Sequence, residues 1–333
     1  MMKRSDGMIL VIGGVQATVR IDMVMPKKPE PGEETQEISP WEREAYGEGG
    51  RFGSMTGIPS GDPSKDRITV FYSGCGYSVA KALAEDGRSV AFLSLIGEDP
   101  LGLGAREDLK RSGVDTRHLL ATEDTDKQTS VKIIARNFLG DTEFWRADGR
   151  IQEEMTPERL KEKEEVIAGA DTVFVDGSLP EETLKWIGEI CRRAGNDLYF
   201  DPASMEGSAR GAGALEYFTG ILPGRREAEV LSDLTILSPD QLKEAGEYFA
   251  GKGVRRVVIT MKGGGLYWRE GDEEGILRPE RILQFGETAG AGDVVSAAFL
   301  KAFAEEEPMT EAAPKAMAAA ADHLSGVSDE RRY

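Results

Sequence analysis

From residue 156 onward the chain alternates short apolar runs with longer runs of helical periodicity, and few folds accommodate that rhythm. A helix over 157–167 is expected to lead into a strand over 172–175, with Asp176 and Gly177 at its carboxyl end. Residues 180–194 read as the next helix, and 198–200 as a strand ending in Asp201 and Pro202. A short strand over 220–222 precedes Pro223, and a helix over 239–252 leads to a strand over 256–260. Repeated strand–helix–strand units predict a parallel sheet with helices on both faces. In such sheets ligands bind beyond the carboxyl ends of the strands. That edge is expected to gather Asp176, Asp201, Glu227, Thr260 and the turn 290–293.

The N-terminal half is less regular. The apolar run 8–12 ends at Gly13-Gly14 and reads as a buried first strand. Residues 68–72 and 90–96 read as strands, 73–83 as a glycine-rich turn passing into a helix, and 105–111 as a helix closing at Gly113. Residues 128–136 and 141–146 alternate apolar and polar side chains around 137–140, the pattern of an antiparallel ribbon, with Arg146 and Asp148 at its end. Residues 310–324 form a terminal helix with an alanine-rich face. Between strands lies 26–65, rich in Pro, Gly and Glu, expected to be a long surface loop whose Trp41, Tyr46 and Phe52 either tuck it onto the body or meet a partner.

Composition excludes several functions. The 59 acidic and 41 basic residues give a net charge of −18, which argues against a surface that tracks nucleic-acid phosphates. Two histidines argue against a His-rich metal cluster or a Ser-His-Asp hydrolase. Two cysteines, Cys75 and Cys191, fit a reducing, cytoplasmic setting. No run is long enough to span a bilayer. A dinucleotide-binding oxidoreductase needs G-x-G-x-x-G after the first strand, which Gly13-Gly14 lacks.

The stretch 286–303, GETAGAGDVVSAAFLKAF, carries the chemistry. Small residues turning into a helix leave first-turn N–H groups unpaired, and with the helix dipole they seat an anion. An aspartate at that seat repels a bound phosphate. Its presence makes sense if the phosphoryl group is in flight and Asp293 handles the proton of the attacking hydroxyl. Its place at a helix N-terminus predicts a weak ground-state base.

GETAGAGD resembles the D-T-x-G-A-G-D signature of the ribokinase-like (PfkB-type) carbohydrate kinases, with Glu287 where that family has Asp. Other segments follow in the family's order. Gln16 and Thr18 stand near the family's sugar-binding Asn and Asp, with Asp22 four residues further on. SGCGYSVAKAL, 73–83, is similar to G-G-x-x-x-N-x-A, which implies substrate contacts from Gly74, Gly76 and Ser78; Ser78 replaces the Asn, and the residues alone equally read as a closely packed helix start. IGEDPLGLGAREDLKRSGVDT resembles G-x-D-x-x-G…G-V-D-T. ILPGRREAEVL resembles P-N-x-x-E-A, with Gly224 in place of Asn, and implies that Glu227 acts on Mg²⁺ through water; alone, Glu227 reads as a helix-start acid. VVITMKGGGLYW is similar to T-x-G-x-x-G and implies nucleotide contacts from Thr260, Lys262, Gly263 and Gly265; alone, it reads as a tight hairpin turn. Within the family, the run from DPAS through KGGGLYW is most similar to pseudouridine kinases.

The resemblance implies a ribokinase-like α/β fold: a doubly wound, mostly parallel sheet with a small β lid. One kinase domain would cover 8–325, with lid segments at about 17–25, 68–72 and 128–146 and an acidic insertion at 26–65. The implied activity is ATP-dependent phosphorylation of a sugar or nucleoside hydroxyl, with the 5′ hydroxyl of pseudouridine favoured. Asp293 would be the base, and the amides of Gly290, Ala291 and Gly292 would hold the charge on the moving phosphoryl group. The family also implies Mg²⁺, a monovalent cation and a homodimer through the lid. The altered positions Thr18, Ser78 and Gly224 leave a second reading, a catalytically weak relative that binds a nucleoside or sugar in a regulatory role.

Overall fold

The computed structural model describes residues 7–23, 66–122, 126–137, 142–279 and 290–329. The expected loop 26–65 and its aromatic residues lie outside the described residues. In chain order the strands are β1 (Ile9–Ile12), β2 (Gln16–Asp22), β3 (Arg67–Ser73), β4 (Val90–Gly97), β5 (Leu119–Thr122), β6 (Ser130–Arg136), β7 (Thr142–Asp148), β8 (Thr172–Asp176), β9 (Asp197–Asp201), β10 (Gly220–Ile221), β11 (Arg256–Thr260), β12 (Leu266–Glu270) and β13 (Glu273–Leu277). The helices are α1 (Cys75–Glu85), α2 (Pro100–Arg111), α3 (Pro157–Leu160), α4 (Glu164–Ala168), α5 (Glu181–Ala194), α6 (Met205–Ala212), α7 (Arg225–Ser232), α8 (Pro239–Gly251), α9 (Ala291–Ala304) and α10 (Met309–Asp329).

Nine strands form the large sheet in the order β13-β12-β11-β10-β9-β8-β1-β4-β5. Pairing is parallel from β5 through β11, and β12 and β13 extend the edge as antiparallel strands. The strands read as continuous apolar runs because both faces are covered. Their alternation divides the core in two. Leu10, Ile12, Val173, Val175, Leu198, Phe200, Val257 and Ile259 point to one side, where Leu184 and Ile187 of α5 and Leu242 and Phe249 of α8 cover them. Ile9, Val11, Phe174, Tyr199 and Val258 point to the other, where Val79 and Leu83 of α1 and Phe299 and Phe303 of α9 pack. Stacked rings anchor both layers: Phe200 on Phe218 at 4.5 Å and Tyr199 on Phe303 at 5.0 Å.

A second sheet has the order β3-β2-β6-β7. Among the described residues, 18–23, 66–70, 132–137 and 142–146 belong to one compact unit and the others to a second. In the smaller unit Arg136 and Arg20 both pair with Asp22, and Met23 N–H donates to the Arg136 carbonyl at 2.9 Å. Ile68, Val70, Phe144 and Trp145 of its strands are exposed.

Local expectations shift in three places. The helix expected over 105–111 begins at Pro100, because the Asp99 carboxylate caps the Leu101 and Gly102 N–H groups at 2.9 Å each. The helix expected over 157–167 is broken: α3 and α4 flank a 3-10 turn, Lys161–Lys163. The strand β2 starts earlier than the expected lid segment, at Gln16.

Register aligns the carboxyl ends of the central strands, with Asp176 beside Asp201. Asp176 is almost fully buried. It accepts hydrogen bonds from the N–H groups of Gly14 at 3.0 Å, Gly76 at 2.8 Å and Ser178 at 3.0 Å, and from the Ser178 hydroxyl. Burial pushes its carboxyl pKa up, and these donors oppose that rise. Gly13 and Gly76 leave the space it needs: a Cβ on Gly13 would sit 2.3 Å from Asp176 Oδ2, and one on Gly76 3.0 Å. Asp176→Ala strands two buried amides between β1 and α1, so it is expected to destabilise the fold by roughly 2–4 kcal/mol in chemical denaturation. A loss below about 0.5 kcal/mol counts against this role.

Candidate active site

The first turn of α9 sets the geometry. Gly290 caps it in the left-handed conformation, φ 81°, which admits glycine without the Cβ penalty. The preceding residues 280–289, including Glu287 and Thr288, lie outside the described residues. Gly292 follows in the first turn, and a Cβ there meets nothing within 4 Å among the described residues. No described neighbour requires glycine at that position. The open space belongs to a cavity of about 570 Å³ lined by Asp293, Asp201, Glu227, Thr260, Gly224 and Gly292, with Arg225, Arg226 and the start of α6 at its wall.

Asp293 is partly buried at this cavity. The Ser78 hydroxyl and the Cys75 thiol of α1 lie close to its carboxylate and favour its charged form. Its pKa is nonetheless pushed up to about 7, chiefly by burial and then by the negative charges of Asp176 and Glu227. The expectation of a weak base at a helix N-terminus is therefore corrected. Desolvation and neighbouring carboxylates outweigh the dipole and these two polar groups, which leaves a carboxylate poised near neutrality.

Asp201 carries the cavity's other strongly shifted acid. Burial, Glu227 and Asp293 push it up to about 8, although Ser296 Oγ at 2.7 Å and the Ala203 N–H at 2.9 Å donate to it. Ala203 takes a left-handed backbone, φ 56°, uncommon for a residue with a Cβ and typical of loops shaped for ligands. Glu227 Oε2 accepts from the Gly224 N–H at 2.6 Å, and burial raises its pKa. Thr260 lies beside Gly224 through a parallel bridge, its N–H donating to the Pro223 carbonyl at 3.0 Å. Among the described residues no three His, Cys, Asp or Glu side chains form a cage for a metal.

Gly292, Asp293, Glu227 and Thr260 thus meet around one cavity. Other expected site residues have different surroundings. Gly263 and Gly265 turn the β11–β12 hairpin; Gly265 has φ 96°, and a Cβ there would strike the Leu277 carbonyl oxygen. The Lys262 side chain lies outside the described residues. Gln16 Nε2 donates to Ser73 Oγ at 3.2 Å, and Thr18 is almost wholly buried. Gly74, φ 126°, lies against the Gly14 carbonyl, and the Gly76 N–H is engaged by Asp176. Arg146 stacks on Phe144, and Asp148 pairs with Arg150. Helix α6 was not legible in the sequence, since its run of Gly, Ala and Ser has little helical signal. Its one sequence mark is Ser204, whose hydroxyl caps the Gly207 N–H at 2.9 Å.

A family model described as pfkB family carbohydrate kinase matches residues 56–325. The chain belongs to this family. PfkB members are sugar and nucleoside kinases, so the protein is a phosphotransferase. A guanosine-inosine kinase of Exiguobacterium acetylicum is 27% identical over 79% of this chain and 86% of its own. A pseudouridine kinase of Escherichia coli (strain K12) is 25% identical over 75% and 79%. The structure of an Arabidopsis thaliana ribokinase complexed with ribose and ATP superposes with a TM-score of 0.74 at 19% identity, over 94% of this chain and 91% of that one. The ribokinase-like fold of this PfkB protein is thereby established. No helix among its described residues is long and apolar enough to cross a membrane.

Two outcomes follow from this site. Asp201 and Asp293 hold protons in the folded state at pH values where the unfolded chain releases them. Their contribution to stability is therefore full below about pH 4 and lost as pH rises through about 7 and about 8. The melting temperature of the ligand-free protein should fall between about pH 5 and about pH 9, and Asp201→Asn should flatten that slope. Gly292→Ala should leave stability unchanged or raise it by up to about 1 kcal/mol while lowering phosphoryl transfer. Equal loss of stability and activity would show instead that Gly292 serves the fold.

Proposed function

We propose that the enzyme phosphorylates the 5′ hydroxyl of a ribonucleoside, with pseudouridine the favoured acceptor. The carrying observation is Asp293: a partly buried carboxylate with a pKa near 7 at a glycine-lined helix start, facing a cavity shared with Glu227 and Thr260. The nucleoside preference rests on the guanosine-inosine and pseudouridine kinases among its relatives, and on the DPAS and EAEVL segments.

In this reading Asp293 accepts the proton of the acceptor hydroxyl as its oxygen approaches the transferred phosphorus. The backbone around Gly290, Ala291 and Gly292 holds the phosphoryl oxygens. Thr260 and the 262–265 turn border the nucleotide. The raised pKa values of Asp201 and Glu227 fit a site prepared for a cation: hard oxygen donors with negative charge left uncompensated. Glu227, with Asp201 beside it, would hold Mg²⁺ through water, and the bound ion would offset the charge of the nucleotide phosphates. The exposed Ile68, Val70, Phe144 and Trp145 support a homodimer through the small sheet.

A second reading, a catalytically weak relative, draws on Ser78, which stands where the family has Asn and lies close to Asp293. One assay separates them. With ATP, Mg²⁺ and K⁺, the protein is offered pseudouridine, uridine, guanosine, ribose and fructose at equal concentration. Preference for pseudouridine is expected. Preference for a free sugar rejects the nucleoside assignment, and ATP binding with no product favours the weak relative. Asp293→Asn should keep the fold and ATP binding and lose about two to four decades of turnover. In the wild type the rate should fall as pH drops below about 7, where Asp293 takes up its proton.

A further inference from the structure

The cavity wall carries an arginine that the mechanism above leaves unused. Helix α7 opens with Arg225 and Arg226, immediately before Glu227. Cations in a first helical turn oppose the helix dipole, so each needs compensation. Arg225 has it: Nη1 donates to Glu229 Oε1 at 3.0 Å and to the Ile236 carbonyl at 2.8 Å. Arg226 is exposed and lines the cavity, and no carboxylate or carbonyl among the described residues pairs with it. In a chain with 59 acidic and 41 basic residues, that is a conspicuous vacancy of partners. The cavity itself holds Asp201, Glu227 and Asp293, an environment that repels a polyphosphate unless fixed cations meet it. Gly224, at the same wall, contributes no side chain that would stand between Arg226 and a ligand.

We propose that Arg226 binds the polyphosphate of the nucleotide donor, as a planar cation that grips phosphate oxygens from the α7 side of the cavity. The assignment rests on the kinase reading of this cavity. It adds a residue that selects for phosphate number on the donor and takes no part in acceptor binding.

The test measures ATP, ADP and AMP binding by calorimetry in Mg²⁺, on wild type, Arg226→Ala, Arg226→Lys and Asp293→Asn, with steady-state KM for ATP and for acceptor alongside. Arg226→Ala should weaken ATP about tenfold, ADP less and AMP little, with acceptor KM and melting temperature unchanged. Arg226→Lys should recover part of the loss. Asp293→Asn should bind ATP as wild type does. Unchanged ATP affinity in Arg226→Ala overturns the proposal while leaving the kinase reading intact. A higher acceptor KM with unchanged ATP affinity also overturns it, moving Arg226 to the acceptor side. If wild type takes up no ATP, the assignment of this cavity falls and Arg226 falls with it.

Discussion

The buried carboxylate of Asp176 is the interaction on which the site depends. It stands at the carboxyl end of β8 and binds the amides that follow β1 and begin α1. That fixes the height and direction of α1 against the sheet. Helix α1 in turn carries Cys75 and Ser78, whose polar groups lie close to Asp293 and favour its charged form. The same charge also reaches Asp293 electrostatically and helps raise its pKa. One group thus sets both the place of the candidate base and part of its basicity. Removing it would act on stability and chemistry together, so the effect of Asp176 on catalysis has to be judged against the loss of fold.

The cavity is acidic where an anion is expected to bind. Burial raises the pKa values of Asp201, Glu227 and Asp293, and the charge of Glu227 raises those of Asp201 and Asp293 further. In isolation this is a strained arrangement, eased below neutral pH by protonation. It would become favourable if cations entered with a ligand, because each would meet charge already desolvated and fixed. Strain of this kind is stored where function needs it. Ser296, Ala203 and Gly224 donate to Asp201 and Glu227, which keeps the two acids oriented.

Much of the large sheet was legible because both of its faces are covered. Strands β8, β9 and β11 appear as unbroken apolar runs, and the helices that precede β9 and β11 start at Pro180 and at Ser238-Pro239. What stayed hidden depended on contacts distant in sequence or on weak local signals. Helix α6 is built from glycine, alanine and serine, and packing rather than propensity makes it helical. The early start of α2 turns on the Asp99 cap, which also accepts from the Thr129 N–H at 2.7 Å. The pKa of Asp293 was misread for the same reason. The dipole is visible from position in the chain, whereas Asp176 and Glu227 become neighbours only in the folded sheet.

The glycines of the site divide by what demands them. Gly13 and Gly76 are demanded by the fold: a side chain on either would displace the Asp176 carboxylate. Their place in a glycine-rich segment therefore says little about a ligand. Gly292 is the opposite case. Its backbone is helical, where alanine is the better residue, and no described atom stands where a Cβ would go. A glycine that costs helix stability and that no described neighbour requires fits a ligand approaching from the cavity. The requirement is for close backbone approach, because an N–H can meet a phosphoryl oxygen only if nothing projects between them. In the proposed mechanism the phosphoryl group would pass over Gly292, with Asp293 the next residue in the turn.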